Sequence, residues 1–364
     1  IVYSSGWKKH LPAKIRGVLL SPIYNIFHKN RSYSLENLVY LLYPLCRTRR
    51  IAVLGWFHIT WPGLLIGFIY KLLNPKGFFY IKADIGNGLF LDARDWQNRL
   101  NKLFMRLFLK KVDLVAVETK LAYEQVTTHK VFGRLFRGRT RLMPNSFDTD
   151  LFEERGLQVK RLAEKENIIL TVGRLGTQQK NTEMLLKAVE KLDLQDWKIV
   201  LVGPLNWGGG GGGNFSKYVE DFLAKNPKLH DKVIFTGAVY DTEKVWKWFN
   251  KAKVFVLTSR REGFANVYAE AKFFQNYILS TKVGGAEESL EHGYGEIIPQ
   301  EDSDYLASQL QRIIGTDYLQ SEYAKVVWEK IDISWEKQIK QAIQGLPEAD
   351  SSSLGRGGER LSQP

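Results

Sequence analysis

Two glutamates stand eight positions apart in the stretch SRREGFANVYAEAKFF, residues 259–274. Glu262 lies in a glycine-containing loop, and Glu270 lies just over a turn into the helix predicted next. The start of a helix has unpaired backbone N–H groups and a partial positive charge, which suit a phosphate. Carboxylates at the periphery suit hydroxyls. The pattern therefore points to a ligand that has both groups, such as a nucleotide sugar.

Three motifs resemble, in the right order, those of the retaining glycosyltransferases of the GT-B fold in the large family four. They are the glutamate pair with Gly-Phe after the first glutamate, the upstream TVGRLGTQQKN (171–181) and the downstream STKVGGAEESLEHGYGEIIP (280–299). The resemblance covers most of the second half of the chain. It implies that Glu262 contacts the transferred sugar and that Glu270 contacts the ribose of a nucleoside-diphosphate donor.

The same resemblance implies roles for other donor-binding residues. Arg174 and Lys180 would neutralise the diphosphate leaving group, because preorganised cations stabilise negative charge where it develops. Backbone amides would assist them, from Gly263, Phe264, Ala265 and Asn266. Val239, after the strand-like KVIFTG, would contact the base, although a plain strand-to-helix turn explains that segment equally well. The implied reaction is a hexosyl transfer with retention of anomeric configuration, and Glu262 positions the sugar without forming a covalent intermediate.

The fold expected is α/β, with two Rossmann-like parallel-sheet domains facing a cleft. Apolar runs alternate with helical patterns along the chain, which favours parallel strands joined by crossover helices. We predict five segments: an acceptor-binding domain (1–152), a linker (153–166), a nucleotide-sugar domain (167–330), a helix crossing back to the first domain (331–346) and a low-complexity tail (347–364). The opening IVYSSGW resembles at most the end of the family's first strand, so a truncated or divergent start is expected.

Two residues of the first domain are candidates for acceptor chemistry. Many relatives have a histidine after a mid-domain strand, whereas the corresponding FYIKADIGNG of this chain has Asp84. An ionised carboxylate within hydrogen-bond reach can bind an acceptor hydroxyl or take its proton, and a turn-forming Asp is the alternative. His58 is the weaker candidate, since a lone histidine among aromatic residues is more often structural.

Positive charge is concentrated near the start of the chain. The net charge is +13, and nine Lys and Arg residues against one Glu leave eight positive charges in the first fifty residues. Acidic phospholipid headgroups would be attracted to such a surface, and an ordinary solvated basic face is the alternative. A helical pattern over residues 95–111 has basic residues on one face and an apolar stripe that favours core packing over membrane contact, at Trp96, Leu100, Leu103, Phe104, Leu107 and Phe108.

No metal or other cofactor is expected. Asp148-Thr149-Asp150 matches the Asp-x-Asp that binds a divalent ion in the other large glycosyltransferase fold. It lies, however, in PNSFDTD, which resembles the interdomain segment of GT-B enzymes, and three-residue matches arise readily by chance. Arg174 and Lys180 would supply the charge that a metal brings elsewhere.

The bulk composition is that of a soluble globular protein in a reducing compartment. The single cysteine, Cys46, excludes an internal disulfide framework. No signal peptide is expected, and the apolar segment from Ile51 to Leu73 is interrupted by His58, Pro62 and Lys71, so we interpret it as strand, loop and helix. The expected location is cytoplasmic, peripheral at the inner face of the cell membrane.

The resulting hypothesis is a glycosyltransferase that moves a sugar from a UDP-type or GDP-type donor to a glycan or lipid-linked glycan. A nucleotide-sugar epimerase of the same fold is one alternative. Another is a non-catalytic basic protein that binds nucleic acid or membrane, although no recognised nucleic-acid module is present. No nucleic-acid partner is therefore expected, and a thermal-shift panel with nucleoside diphosphates would discriminate between these classes.

Overall fold

The computed structural model describes residues 2–5, 14–15, 18–23, 48, 51–85, 99–205, 215–326 and 334–344. Three sheets lie in these ranges. A small sheet has the order β1-β3-β2, with a parallel and an antiparallel pair. Its strands are β1 Val2–Ser5, β2 Lys14–Ile15 and β3 Val18–Ile23.

The first large sheet is parallel and has the sequential order β4-β5-β6-β7. Its strands are β4 Val53–Phe57, β5 Phe78–Ala83, β6 Leu114–Val117 and β7 Thr140–Leu142. Its connecting helices are α1 Trp61–Leu73, α2 Arg99–Leu109, α3 Lys120–Thr128 and α4 Gly133–Phe136. We call the unit built on this sheet the first domain.

The second large sheet is parallel, with the order β10-β9-β8-β11-β12-β13. Its strands are β8 Glu166–Val172, β9 Lys198–Val202, β10 Val233–Gly237, β11 Ala252–Leu257, β12 Tyr277–Thr281 and β13 Gly295–Ile298. Its helices are α5 Thr149–Glu154, α6 Thr182–Val189, α7 Phe215–Lys225, α8 Thr242–Lys251, α9 Val267–Phe273, α10 Ala286–Leu290, α11 Ser303–Gly315 and α12 Tyr318–Tyr323. We call this unit the second domain.

The second sheet is doubly wound, and its strand order reverses between β8 and β11. Ligands of open α/β sheets bind outside the carboxyl ends of the strands at such a reversal. Its apolar residues form two cores, one on each face of the sheet. The fold thus directs the loops after β8 and β11 to one point.

The last described helix, α13 Trp335–Ile343, packs on the first domain. Trp335 and Ala342 join a core cluster with Leu114, Ala116 and Met143. The Trp335 amide donates to the Phe147 carbonyl at 3.3 Å, so the two passages of chain between the domains lie side by side.

Helix α1 follows β4 after a short loop, as the interrupted apolar segment predicts. Thr60 caps α1 by accepting a hydrogen bond from the Gly63 amide, and Pro62 lies in its first turn. None of the helices in the described ranges is long and apolar enough to cross a bilayer. The glycine run 208–213 and the tail 347–364 fall outside those ranges, as do most of the basic residues near the start of the chain.

Candidate active site

An ion pair lies at the strand-order reversal of the second sheet. Lys180, in the loop after β8, places its Nζ 2.6 Å from Oε1 of Glu262, in the loop after β11. Both side chains are largely buried, with 16% and 10% of their surfaces exposed. The resemblance assigned these two residues to the diphosphate and the sugar, and the fold brings them into direct contact.

Gln179 joins this pair to a second cation. Its Nε2 donates to Oε2 of Glu262 at 3.1 Å, and its Oε1 accepts from Nη2 of Arg174 at 2.7 Å. Arg174, Lys180 and Glu262 therefore form one hydrogen-bonded group. Sequence reasoning missed Gln179, because a glutamine in a polar loop has no local signal that marks its partners.

The loop that contains Lys180 is fixed by Asn181. This residue has a left-handed backbone (φ 46°) and begins α6, but its side chain makes no capping hydrogen bond. Asn181 is thus the N-cap of α6 in position alone, because its side-chain amide donates to Glu301 and accepts from Arg260 instead. Arg260 also pairs at 2.5 Å with Glu301, which follows β13. Its contacts with Asn181 and Glu301 therefore cross-link the segments after β8, β11 and β13.

Two close backbone approaches hold the loop that follows Glu262. A Cβ on Gly284 would overlap the carbonyls of Glu262 and Gly263, which explains the first glycine of the pair in the downstream motif. A Cβ on Gly263 would overlap the carboxylate of Asp84, which follows β5 of the first domain. Asp84 therefore lies against the loop of Glu262, although the two residues are 178 positions apart in the sequence.

The remaining residues of this loop contribute mainly through the backbone. The Phe264 carbonyl accepts a hydrogen bond from Nδ2 of Asn145 at 3.2 Å, which is a second contact between the domains. Ala265 is buried in the core, and Asn266 is exposed and begins α9 without a side-chain cap. Val239 packs on the core beyond edge strand β10, two strands from β8, and no contact joins it to Lys180 or Glu262 among the described residues.

Glu270 lies in the middle of α9, largely shielded from solvent. Burial raises the pKa of Glu270 from its ordinary value of 4.5 to about 7, and a hydrogen bond with the Trp246 side chain partly opposes the shift. The carboxyl group is therefore poised between its two protonation states near neutral pH. A ribose hydroxyl, as a hydrogen-bond donor, would favour the ionised state.

The first domain presents a polar cluster at the carboxyl ends of its strands. Lys82, near the end of β5, pairs with Glu118 directly after β6 at 2.9 Å and donates to the Met143 carbonyl at 3.1 Å. His58 has a positive φ of 62° and is exposed beside Phe57, while its amide donates to the Lys82 carbonyl at 2.8 Å. Neither Lys82 nor Glu118 was singled out from the sequence.

Asp148 caps α5 by accepting a hydrogen bond from the Leu151 amide at 3.2 Å. This explains the Asp-x-Asp triplet as the start of a helix. Within the described part of the chain, no three His, Cys, Asp or Glu side chains group as metal ligands. The absence of a metal remains a prediction.

Comparison with known proteins agrees with this architecture. Residues 153–325 match the family model described as glycosyl transferases group 1. The amylovoran biosynthesis glycosyltransferase AmsD of Erwinia amylovora is 29% identical over 172 residues, which are 46% of this chain and 44% of that protein. An alpha-1,4-N-acetyl-D-galactosaminyltransferase of Campylobacter jejuni, named for an undecaprenol-linked substrate, is 31% identical over 164 residues, 44% of this chain and 42% of that one.

These matches to curated relatives therefore span less than half of each relative's length. Over a longer range, a glycosyltransferase structure from Rickettsia africae superposes with a TM-score of 0.65 at 16% identity, covering 93% of this chain and 86% of that one. This likeness shows the fold. Residues 153–325 of the chain thus resemble the glycosyl transferases group 1 family, and its two facing domains have the GT-B fold.

Proposed function

We propose that this protein is a retaining, metal-independent glycosyltransferase that moves a hexosyl group from a nucleoside diphosphate to a hydroxyl of a glycan or lipid-linked glycan. One observation supports it above the others. The Lys180–Glu262 pair lies at the strand-order reversal of the second sheet and faces Asp84 of the first domain. A donor bound on one domain would thus meet an acceptor bound on the other.

On the donor side, the diphosphate takes the place of Glu262 as the partner of Lys180, and Arg174 adds a second positive charge. Departure of the nucleoside diphosphate builds negative charge on a phosphate oxygen, which these cations stabilise in a partly buried site. Amides of residues 263–266 assist them. Glu270 binds the ribose, and the backbone at Val239 contacts the base.

In the transfer step, the bond between the anomeric carbon and the phosphate oxygen breaks while a bond to the acceptor oxygen forms on the same face of the sugar. Glu262, released from Lys180, accepts hydrogen bonds from the hydroxyls of the oxocarbenium-like sugar and positions it. Asp84 binds the acceptor hydroxyl and accepts its proton. The contact of Asp84 with Gly263 gives this carboxylate a short path to the reacting centre.

The acceptor that we favour is a lipid-linked glycan at the inner face of the cell membrane. The name of the Campylobacter relative includes an undecaprenol-linked substrate, and AmsD is named for amylovoran biosynthesis. Helix α2 supports membrane contact with apolar side chains that are exposed beside basic ones, with Leu103 62% and Phe104 46% exposed. The protein would then bind the membrane as a peripheral protein.

A thermal-shift panel tests the donor assignment without knowledge of the acceptor. The protein is melted with UDP, GDP, ADP, dTDP or CMP, once with EDTA and once with Mg²⁺, because a bound ligand raises the melting temperature by mass action. We expect one diphosphate to raise it equally in both buffers. A shift that requires Mg²⁺ would contradict the metal-independent mechanism, and no shift with any nucleotide would contradict the donor site.

A further inference from the structure

Glu118 in the polar cluster of the first domain has an unmet hydrogen-bonding requirement. The residue is 3% exposed, and its Oε1 is paired with Lys82. Its Oε2 is buried and has no hydrogen-bond partner among the residues that the structure describes. A buried carboxylate oxygen without a hydrogen-bond donor is unfavourable, so a group that supplies one is expected.

The charges around Glu118 define the chemistry of that group. Burial raises the pKa of Glu118, and its ion pair with Lys82 opposes that shift. The nearby charge of Asp84 raises the pKa further, while the Asn145 side chain lowers it as a hydrogen-bond donor. Two carboxylates and one ammonium leave the cluster with a net negative charge. An anion such as the donor diphosphate is therefore disfavoured, and a neutral O–H or N–H donor fits.

The position of Glu118 places this group on the acceptor side. Glu118 follows β6 and Asp84 follows the adjacent strand β5, at the edge of a parallel sheet where ligands bind. Asp84 in turn touches Gly263 of the donor loop. A sugar bound at Asp84 would present its neighbouring substituents toward Glu118.

We propose that Glu118 is an acceptor-binding residue, whose Oε2 accepts a hydrogen bond from a hydroxyl or acetamido N–H of the acceptor sugar while Lys82 holds the other carboxylate oxygen. This inference rests on the proposed function. It adds a specificity determinant: the acceptor must have a hydrogen-bond donor beside the hydroxyl that reacts. Separation of Asp84 from Gly263 admits the sugar.

The test compares Glu118→Gln with the wild type. In this variant Lys82 still donates to the side-chain oxygen of the glutamine, so the NH₂ group occupies the position of Oε2. The acceptor sugar then faces a hydrogen-bond donor in place of a charged hydrogen-bond acceptor. Four octyl β-glycosides serve as probes, those of glucose, galactose, N-acetylglucosamine and N-acetylgalactosamine. Their binding is measured by saturation-transfer NMR in the presence of the nucleoside diphosphate that stabilises the wild type.

We expect at least one glycoside to bind the wild type and to bind Glu118→Gln about tenfold more weakly or worse, as for a lost hydrogen bond to a charged group. Affinity for the nucleoside diphosphate stays within about twofold, since Glu118 lies on the other domain. Glu124→Gln, an exposed glutamate on the following helix, is the matched control and binds as the wild type does.

Equal glycoside affinity in Glu118→Gln and the wild type would overturn the inference and indicate an internal water at Oε2. Failure of all four glycosides to bind a wild type that binds its diphosphate would also overturn it. If no nucleoside diphosphate binds the wild type, the proposed function is contradicted, and this inference is contradicted with it. If Glu118→Gln does not fold, Glu118→Asp is the deciding variant, because it keeps the negative charge but moves the carboxylate oxygens away from the acceptor. We expect its glycoside affinity to fall several-fold.

Discussion

Glu262 and the donor diphosphate compete for the same ammonium group. The 2.6 Å pair with Lys180 must break before Lys180 can bind phosphate, so part of the binding energy is spent on separating it. A buried charge that loses its partner is costly. The sugar hydroxyls would then compensate Glu262, which couples occupancy of the sugar site to occupancy of the phosphate site.

Glu262→Gln should therefore bind the free nucleoside diphosphate several-fold more tightly while losing most transfer activity. The amide keeps the size of the side chain but no longer neutralises Lys180. Isothermal titration calorimetry gives the affinity. Glu243→Gln, which removes a half-buried carboxylate paired with Lys247 at 2.9 Å, should leave this affinity unchanged. Weaker binding in Glu262→Gln would contradict the competition.

Glu270 predicts a pH dependence of donor binding. Its pKa of about 7 means that a falling pH protonates the carboxyl group and removes an acceptor for the ribose hydroxyls. We expect wild-type affinity for the nucleoside diphosphate to rise between pH 6 and 8 more steeply than that of Glu270→Gln, in paired titrations. Since the ligand ionises identically in both, the difference reports Glu270, and parallel curves would refute the assignment.

The free energy of unfolding should depend on pH in the direction opposite to that of donor affinity. Because the pKa of Glu270 is higher in the folded than in the unfolded chain, its protonation favours folding; this contribution is complete below pH 4.5 and is lost as the pH rises to about 7. Glu270→Gln removes this dependence. The free energies of unfolding in urea at pH 4.5 and pH 7.5, compared between the two proteins, measure it.

Residue roles could be predicted from sequence only where a motif identifies them. Glu262, Glu270, Arg174 and Lys180 were named from motif resemblance, and the fold places Arg174, Lys180 and Glu262 in one hydrogen-bonded group. Gln179 and Glu118 were missed because their importance depends on partners that are distant in the sequence, or on a partner that is absent.

At the scale of elements, helix α2 differs from its sequence-based expectation. The apolar stripe was expected to favour core packing, and Phe108 does pack in the core together with Met105. Leu103, Phe104 and Leu107 are instead exposed, at 62%, 46% and 45%. The apolar stripe is wider than the part of α2 that packs on the core. The apolar side chains outside that part therefore face solvent, beside the exposed Arg106 and Lys110. Trp96 lies outside the described residues.

The exposed stripe predicts membrane binding that depends on both charge and apolar contact. Leu103→Ser with Leu107→Ser should reduce co-sedimentation with vesicles of 30% phosphatidylglycerol in phosphatidylcholine about fivefold or more, through lost burial of apolar area. The melting temperature should not change, since neither side chain is in the core. Ile339→Ser, at an equally exposed position on α13, is the control. Equal binding by the double variant would exclude α2 as the contact.

Most elements were predictable because apolar runs and capping residues are local signals. The apolar runs RIAVLGW, GFFYIKA and VDLVAV lie at strands β4, β5 and β6. Asp241, a residue type that favours N-caps, caps α8 by accepting from the Glu243 amide at 3.0 Å. Strand β7 was missed: three residues, Thr140–Leu142, are too few for an apolar period, and it forms by pairing with β6.

For the whole molecule, the contact between Asp84 and Gly263 is one of several that hold the two domains together, beside those of Lys120 with Glu288 and Glu291. Gly263→Ala should push them apart, because the added methyl group would overlap Cγ as well as an oxygen of Asp84. Pulsed electron resonance between spin labels at Tyr123→Cys and Tyr240→Cys, in a Cys46→Ser background, should report a longer or broader distance distribution across the cleft.

Asp84→Ala added to Gly263→Ala should restore the original distribution, since it removes the overlapped group. Gly315→Ala is a matched control, because a Cβ there meets nothing within 4 Å. If Gly263→Ala and the wild type give the same distribution, the domains do not rest on this contact.

The side-by-side passages of chain at Phe147 and Ser334 limit the motion that these variants would reveal. Because both connections between the domains cross at one place, they form a single hinge about which the cleft can open and close. Translation of one domain past the other would break the Trp335–Phe147 hydrogen bond and separate the Trp335 ring from the Lys82 ammonium group. Because the Lys82 ammonium group also pairs with Glu118, the hinge and the proposed acceptor contact share the side chain of Lys82.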